Sequence, residues 1–339
     1  MKILILKPSS LGDVIQALPV LRLLKLHLPA SEIHWWLQSE LTPLLHGDPD
    51  LAGIIPFERR NWGAFGYWIG AWRGLRAMRR HHFDWVIDLQ SLARSGLVAW
   101  LANGDLTVGL DDHREGARAF YDLIVRRGSW DTHAVDWYLK VLPALGVPTD
   151  RRFVWMPERP NIAETVRAKW QPAAKRWIVL QPGARWRNKR WPVEHFARLV
   201  GEDFGWADDV RFAILGSTGE RELGRAIATA NPKRCLDLSG NITLPEMVEW
   251  IRLGELTITN DTGPMHVAAA LGKPLIALFG PTEPRRTGPY NQFDCVLRHP
   301  LPCAPCMRDT CDFEKPMECL RALMPERVLE RVPGALRKC

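Results

Sequence analysis

Short apolar runs bounded by turn residues recur along this chain, each followed by a stretch with helical spacing, and this alternation restricts the fold more than any other feature. Lys2–Leu6 is a β-rich run, Pro8-Ser9-Ser10-Leu11-Gly12-Asp13 is a turn cluster, and Val14–Leu28 is mostly apolar at helical spacing. The pattern repeats, with strands expected at Ile33–Leu37, Gly53–Phe57, Trp85–Leu89 and Leu106–Gly109. Helices are expected at Leu41–His46, Trp68–Arg80, Ser95–Ala102 and Thr132–Leu145. A Pro/Arg-rich, weakly periodic stretch from Val147 to about Lys175 reads as a linker region. Beyond it the alternation restarts, with strands expected at Trp177–Gln181, Val210–Leu215, Cys235–Leu238, Leu256–Asn260 and Leu275–Phe279. Helices are expected between them at Val193–Asp203, Glu220–Ala230, Leu244–Leu253 and Pro264–Leu271. Short apolar strands alternating with helices form parallel sheets covered on both faces. The chain therefore reads as two doubly wound α/β domains with a cleft between them, and ligands in such sheets sit beyond the carboxyl ends of the strands.

Composition narrows the setting. No apolar run approaches the roughly 18–20 residues of a transmembrane helix. Only four apolar residues separate Lys2 from Lys7, which is not a signal peptide. A cytosolic chain is expected, and its 7 cysteines are then not disulfides by default. The excess of 45 Lys+Arg over 38 Asp+Glu, a net +7, points to an anionic partner. Residues 59–82 concentrate that charge in Arg59, Arg60, Arg73, Arg76, Arg79, Arg80, His81 and His82, without one acid. They are interleaved with Trp62, Phe65, Tyr67, Trp68 and Trp72, a pattern suited to an anionic amphiphile at a membrane surface. The bland alternative is a helix packed by its Trp face with its arginines in water. No nucleic-acid-binding module is recognisable, so nucleic acid is not the expected partner.

Three strand-to-helix turns carry candidate chemistry. At Lys7–Asp13, backbone N–H groups, two hydroxyls and a lysine converge where an anion or a sugar hydroxyl could bind. Asp13 reads either as a helix N-cap or as a general base kept ionised at the positive end of a helix. No G-x-G-x-x-G follows the first strand, which weakens a nicotinamide-dehydrogenase reading. In Thr259-Asn260-Asp261-Thr262-Gly263-Pro264-Met265-His266, Gly263 permits close backbone approach and Pro264 fits the first helical position, which makes a diphosphate site or an ordinary capped turn. The loop Gln181–Pro192 holds Arg185, Arg187, Lys189 and Arg190 against no acid, which suggests phosphate neutralisation or a solvated basic loop. Cys303, Cys306, Cys311 and Cys319 offer four thiols in a Pro-rich loop. Structural zinc is one reading, although the spacing matches no standard knuckle pair, and free thiols are the other.

Taken together, these segments resemble the glycosyltransferase family 9 heptosyltransferases of lipopolysaccharide core synthesis. The resemblance covers nearly the whole chain and is carried by Lys7–Pro19, Lys189-Arg190-Trp191-Pro192, Asp261–His266 and Gly280-Pro281-Thr282. Asp84–Ser95 and Arg114–Asp122 look most like the first heptosyltransferase, whereas the Cys-rich tail looks more like the second. The resemblance implies a GT-B fold, two Rossmann-like domains facing a central cleft. It also implies an inverting transfer from an ADP-heptose that needs no metal or cofactor. On that analogy Asp13 is the general base on the acceptor hydroxyl, and Lys189 meets the leaving-group charge with the helix start at Thr262-Gly263. Donor contacts would come from Ser9, Ser10, Gly12, Arg185, Ile242, Asp261, Thr262, Gly263 and His266. Acceptor contacts would come from Lys7, Arg59, Arg60, Arg94 and Arg114. Ala184-Arg185 stands where the first heptosyltransferase has hydroxyl residues before the lysine.

The expected organisation is an acceptor-binding domain over 1–155, a linker over 156–175, a nucleotide-sugar domain over 176–322 and a helical tail over 323–339, for which packing back on the N-terminal domain is one option. The expected partners are ADP-heptose, a Kdo-lipid A type acceptor and an anionic membrane surface, on the cytoplasmic face of the inner membrane. The alternatives are a family member with another nucleotide sugar or acceptor, and a non-catalytic GT-B-like protein that binds lipid or polysaccharide.

Overall fold

The computed structural model describes residues 1–58, 74–76, 78–111, 115–150, 153–172, 176–201 and 206–336. Arg59, Arg60, Arg114 and most of the basic 59–82 segment lie outside them. The chain divides into two compact units, Met1–Pro157 and Glu158–Cys339. Among the described residues no helix is long and apolar enough to cross a membrane.

The first unit is built on six parallel strands: β1 (Lys2–Leu6), β2 (Glu32–Gln38), β3 (Gly53–Phe57), β4 (Trp85–Asp88), β5 (Leu106–Asp111) and β6 (Leu123–Arg126). Their order across the sheet is β3-β2-β1-β4-β5-β6. β1 is central and buried on both faces, with Ile3, Leu4, Ile5 and Leu6 fully out of solvent, which is why it reads as a continuous apolar run. β6 was not foreseen. It is an edge strand with Val125 as its only buried residue, too little apolar signal to stand out. The helix expected over Thr132–Leu145 is two short ones, Ala134–Leu139 and Val141–Ala144, because Pro143 has no N–H to offer the carbonyl four residues earlier.

The second unit repeats the plan with β7 (Arg176–Gln181), β8 (Val210–Ile214), β9 (Cys235–Asp237), β10 (Leu256–Asn260), β11 (Leu275–Phe279) and β12 (Val296–Arg298), ordered β12-β11-β10-β7-β8-β9. Where a linker was expected, Pro160–Trp170 is a helix. Pro160 sits in its first turn, where a missing N–H costs nothing, and Val166 is fully buried. Lys169 pins it to the second unit through Glu246, at 3.0 Å. The tail is likewise part of this unit's own core. Leu323, Val328 and Val332 pack with Leu199, Phe212 and Ile258.

Both sheets grow outward in one direction from their first strand and then resume on its other side. That reversal falls between β1 and β4 in the first sheet and between β7 and β10 in the second. In doubly wound sheets the crevice beyond the carboxyl ends at such a point is where ligands bind.

Candidate active site

Both reversal points carry polar side chains. In the first unit, β1 runs into the helix Leu11–His27 through the Lys7–Ser10 turn. Ser10, not Asp13, is the N-cap, and Asp13 stands at the third helical position. The Ser10 N–H and hydroxyl both donate to Asp13 Oδ2, at 2.9 and 2.7 Å. A carboxylate held by two donors in the first turn of a 17-residue helix has its negative charge stabilised and its direction fixed. Gly12 is buried in the same turn, and Ser9 faces a shallow pocket that also holds Gln90 and Arg94.

Lys7 was expected at the acceptor, but it is only 3% exposed. Its ammonium donates to the Leu89 carbonyl at 2.8 Å and lies 4.6 Å from the centroid of the Tyr138 ring. Burial by itself would lower its pKa. Tyr138, Asp13 and Asp88 outweigh that and hold it above the ordinary lysine range. Lys7 is thus a buried cation behind the turn, in electrostatic contact with Asp13. Asp88, fully buried at the end of β4, accepts from Tyr121 Oη and Gln90 N, each at 2.8 Å, and burial pushes its carboxyl above the usual range.

In the second unit, β7 runs into the basic loop and β10 into the helix Gly263–Ala270, with Thr262 as N-cap and Pro264 in the first turn. Lys189 Nζ lies 2.6 Å from Asp261 Oδ2, and the Thr282 hydroxyl donates to the same oxygen at 2.5 Å. The ammonium also sits 4.7 Å from the Trp186 ring centroid. Asn260 ties the two loops together, accepting from Trp191 N and donating to the Pro182 carbonyl at 2.7 Å. Of the other loop cations, Arg190 donates to the Ala184 carbonyl at 2.8 Å, while Arg185 is exposed. A cavity of about 200 Å³ opens beside the loop, lined among others by Arg187, Arg190 and Arg321. His266 is buried in the first turns of the Gly263–Ala270 helix, and Ile242 is half-buried just before the Thr243 cap of the next helix toward the N-terminus. This arrangement offers a lysine, a hydroxyl and a helix N-terminus to a diphosphate.

Residues 71–317 match the family described as Glycosyltransferase family 9 (heptosyltransferase). The chain belongs to glycosyltransferase family 9. It is an enzyme, so the non-catalytic alternative is set aside. Lipopolysaccharide heptosyltransferase 1 of Pseudomonas aeruginosa is 29% identical over 363 residues, covering 99% of this chain and 98% of that protein. Lipopolysaccharide heptosyltransferase 2 of Escherichia coli K12 is 30% identical over 329 residues, covering 88% of each. The solved structure of E. coli ADP-heptose lps heptosyltransferase II superposes with a TM-score of 0.79 at 24% identity, covering 100% of this chain and 99% of that one. The two six-stranded parallel sheets with flanking helices are those of the GT-B fold.

Several side chains of this family 9 enzyme that matter at the site were not singled out from the sequence. Thr282 stood in the Gly280-Pro281-Thr282 motif without a role of its own. Glu220 closes over the basic loop so tightly that a Cβ on Gly183 would fall 1.9 Å from its Oε1. The signal for Glu220 was present as Ser217-x-x-Glu220, a capping box in which Glu220 accepts from Ser217 N at 2.8 Å. The cysteine loop is tied to the same region, since Asn188 donates to the Arg308 carbonyl at 2.9 Å and Met307 N to the Pro281 carbonyl at 2.7 Å. Burial, helped by the thiols of Cys311, Cys303 and Cys306, pushes the Cys319 thiol up to about 11. Among the described residues no three His, Cys, Asp or Glu side chains are arranged to hold a metal ion.

Proposed function

We propose that this enzyme transfers a heptose from ADP-L-glycero-D-manno-heptose to the lipopolysaccharide inner core, onto Kdo or the first heptose of Kdo-lipid A, with inversion at the anomeric carbon. The observations that support the reading are made at each reversal point by itself. One holds an oriented carboxylate, the other a lysine beside a helix N-terminus. Asp13 takes the proton from the acceptor hydroxyl as its oxygen attacks the anomeric carbon from the face opposite ADP. Lys189, oriented by Asp261, and the N–H groups at Gly263 meet the charge that develops on the departing diphosphate. Thr262, His266, Arg185 and Ile242 complete the donor side, with Ser9, Ser10 and Gly12 around the base. Arg94, with Arg59, Arg60 and Arg114, meets the anionic acceptor. The basic, tryptophan-rich 59–82 segment gives peripheral contact with the inner face of the inner membrane. On this reading residues 1–155 form the acceptor domain and 176–322 the donor domain.

The test is ADP release from ADP-heptose, with Kdo-terminated lipid A and its mono-heptosylated product as separate acceptors. Release with Kdo-lipid A alone identifies a first heptosyltransferase, and release with the heptosylated acceptor alone a second. If neither stimulates release while ADP still binds, the substrate assignment is wrong. Comparing the anomeric configuration of donor and product by NMR tests inversion. A different nucleotide sugar is the second reading, favoured by Ala184-Arg185 ahead of the lysine.

A further inference from the structure

The basic loop holds more cations than the donor centre uses. Lys189 is turned to Asp261, whereas Arg187 and Arg190 line the cavity beside the loop, together with Arg321 at the end of the helix Glu318–Arg321. Lys189, Asp261 and Thr282 are not on that lining. Against the three guanidinium groups the described lining sets one carboxylate, Glu194. Among the described residues none of the three arginines is paired with an acid. Arg190 donates Nε to the Ala184 carbonyl at 2.8 Å, which fixes the side chain and leaves its terminal nitrogens for another acceptor. Much of the remaining wall is apolar, with Trp191, Leu223 and Met317. That wall is held firmly. Buried Trp191 donates Nε1 to the Leu323 carbonyl at 2.6 Å and its backbone N–H to Asn260 Oδ1 at 3.0 Å, and Asn188 donates to the Arg308 carbonyl at 2.9 Å. These bonds lock the loop to the tail, so the packing of this unit is what brings the three cations to one cavity. Arg187, Glu194 and Arg321 are exposed, and the cavity is therefore open to solvent.

We propose that this cavity is a phosphate-binding site separate from the Lys189–Asp261 centre, in which Arg187, Arg190 and Arg321 hold a phosphate dianion that is either free or borne on a lipid. Charges of one sign gathered over low-dielectric walls focus their potential into a concave surface, which draws in an anion. Three guanidinium charges less that of Glu194 leave two, and a phosphate dianion matches them. Guanidinium forks also fit phosphate oxygens in geometry. A carboxylate offers its oxygens in one plane, whereas a phosphate spreads them tetrahedrally and can meet forks from the loop and from the tail at once. The site does not depend on which sugar the enzyme transfers.

The experiment titrates the full chain calorimetrically with inorganic phosphate, in the absence of ADP and with ADP at saturation. Wild type, Arg187→Ser combined with Arg321→Ser, and Lys189→Met are compared. The expected result is that ADP-saturated wild type still binds phosphate. The double arginine variant should lose that affinity by about tenfold or more, as charge-assisted contacts are removed, and Lys189→Met should keep it. Should the double variant fail to fold, Arg321→Ser alone, on the exposed tail residue, carries the same expectation. Phosphate that ADP displaces completely, or that binds the arginine variants as tightly as wild type, overturns the proposal. Sedimentation with vesicles of phosphatidylcholine, with and without phosphatidic acid, separates the two sources. Vesicle binding that needs phosphatidic acid and falls in the double variant assigns a lipid-borne phosphate, and equal vesicle binding by wild type and variant assigns the free ion. A wild type that binds neither phosphate nor these vesicles through the arginines also overturns the site.

Discussion

Lys189 and Asp261, 72 residues apart in the chain, meet at 2.6 Å, and Thr282 shares the same carboxylate oxygen at 2.5 Å. Asp261 is buried, with its side chain 5% exposed, so its charge requires the lysine, and the lysine in turn is aimed by it. If Lys189 neutralises the departing diphosphate, Lys189→Met should lower kcat/KM by about 10²–10³, the usual loss of one preorganised charge-stabilising group. Thr282→Val removes only a hydroxyl that orients the pair and should cost about tenfold. Coupled ADP-release kinetics with calorimetric ADP titrations check both, and wild-type turnover in Lys189→Met would remove it from the mechanism.

Asp13 is held by two donors from Ser10, which orient it but do not replace its chemistry. Asp13→Asn keeps the shape of the turn and removes the base. Turnover should fall by about 10²–10⁴, while ADP affinity stays at the wild-type value. Ser10→Ala deletes the hydroxyl donor and leaves the N–H donor, a loss of about tenfold in kcat. Equal losses in ADP binding and turnover for Asp13→Asn would instead mean a purely structural role.

Much of this was legible in the residues, and the misses share physical causes. The buried parallel strands announce themselves because both faces are covered, as in Ile3-Leu4-Ile5-Leu6 or Leu275–Phe279, where every side chain is apolar. Edge strands such as β6 and β12 bury too little to show. The Pro160–Trp170 helix was hidden because proline reads as a breaker, whereas in a first turn it is at home. Motif spacing singled out Asp13, Lys189 and Asp261, since each lies in the segment that follows the carboxyl end of a strand. It could not reveal that Lys189 and Asp261 pair, nor that Thr282 joins them, because those contacts cross strands far apart in sequence. Nor could it separate an exposed lysine from the buried Lys7, whose Tyr138 partner is 131 residues away.

Arg22 anchors the N-terminal unit. Its guanidinium grips Asp48 with both terminal nitrogens at 2.6 Å, reaches Asp50 at 2.7 Å and donates Nε to the Trp155 carbonyl at 3.1 Å. Arg22 and Asp48 are 6% and 5% exposed, so removing the cation strands a buried carboxylate. Arg22→Met should cost about 3–5 kcal/mol, read as a lower urea midpoint at unchanged slope. Arg22→Met combined with Asp48→Leu should recover much of that loss. A double variant as unstable as the sum of the single ones would show that packing and the Asp50 and Trp155 contacts, not the stranded charge, set the cost.

His34 makes the fold sensitive to mild acid. Its ring is 7% exposed, 4.4 Å from the His81 ring and edge-on to Phe83 at 5.6 Å, and Nε2 has no partner among the described residues. Burial, with His81 and Lys2 acting in the same direction and Glu32 against it, holds its pKa below the ordinary histidine value. The unfolded chain therefore takes up a proton near pH 6.5, while the folded one resists until a lower pH. The contribution of neutral His34 is fully present above about pH 6.5 and is lost as the pH falls through the folded value, by at most about 1.4 kcal/mol per pH unit. His195, whose pKa burial also lowers, acts alike in wild type and variant and cancels in the comparison. Between pH 7.5 and 5 the urea midpoint of wild type should fall more steeply than that of His34→Phe, and parallel lines would show that another group carries the acid sensitivity.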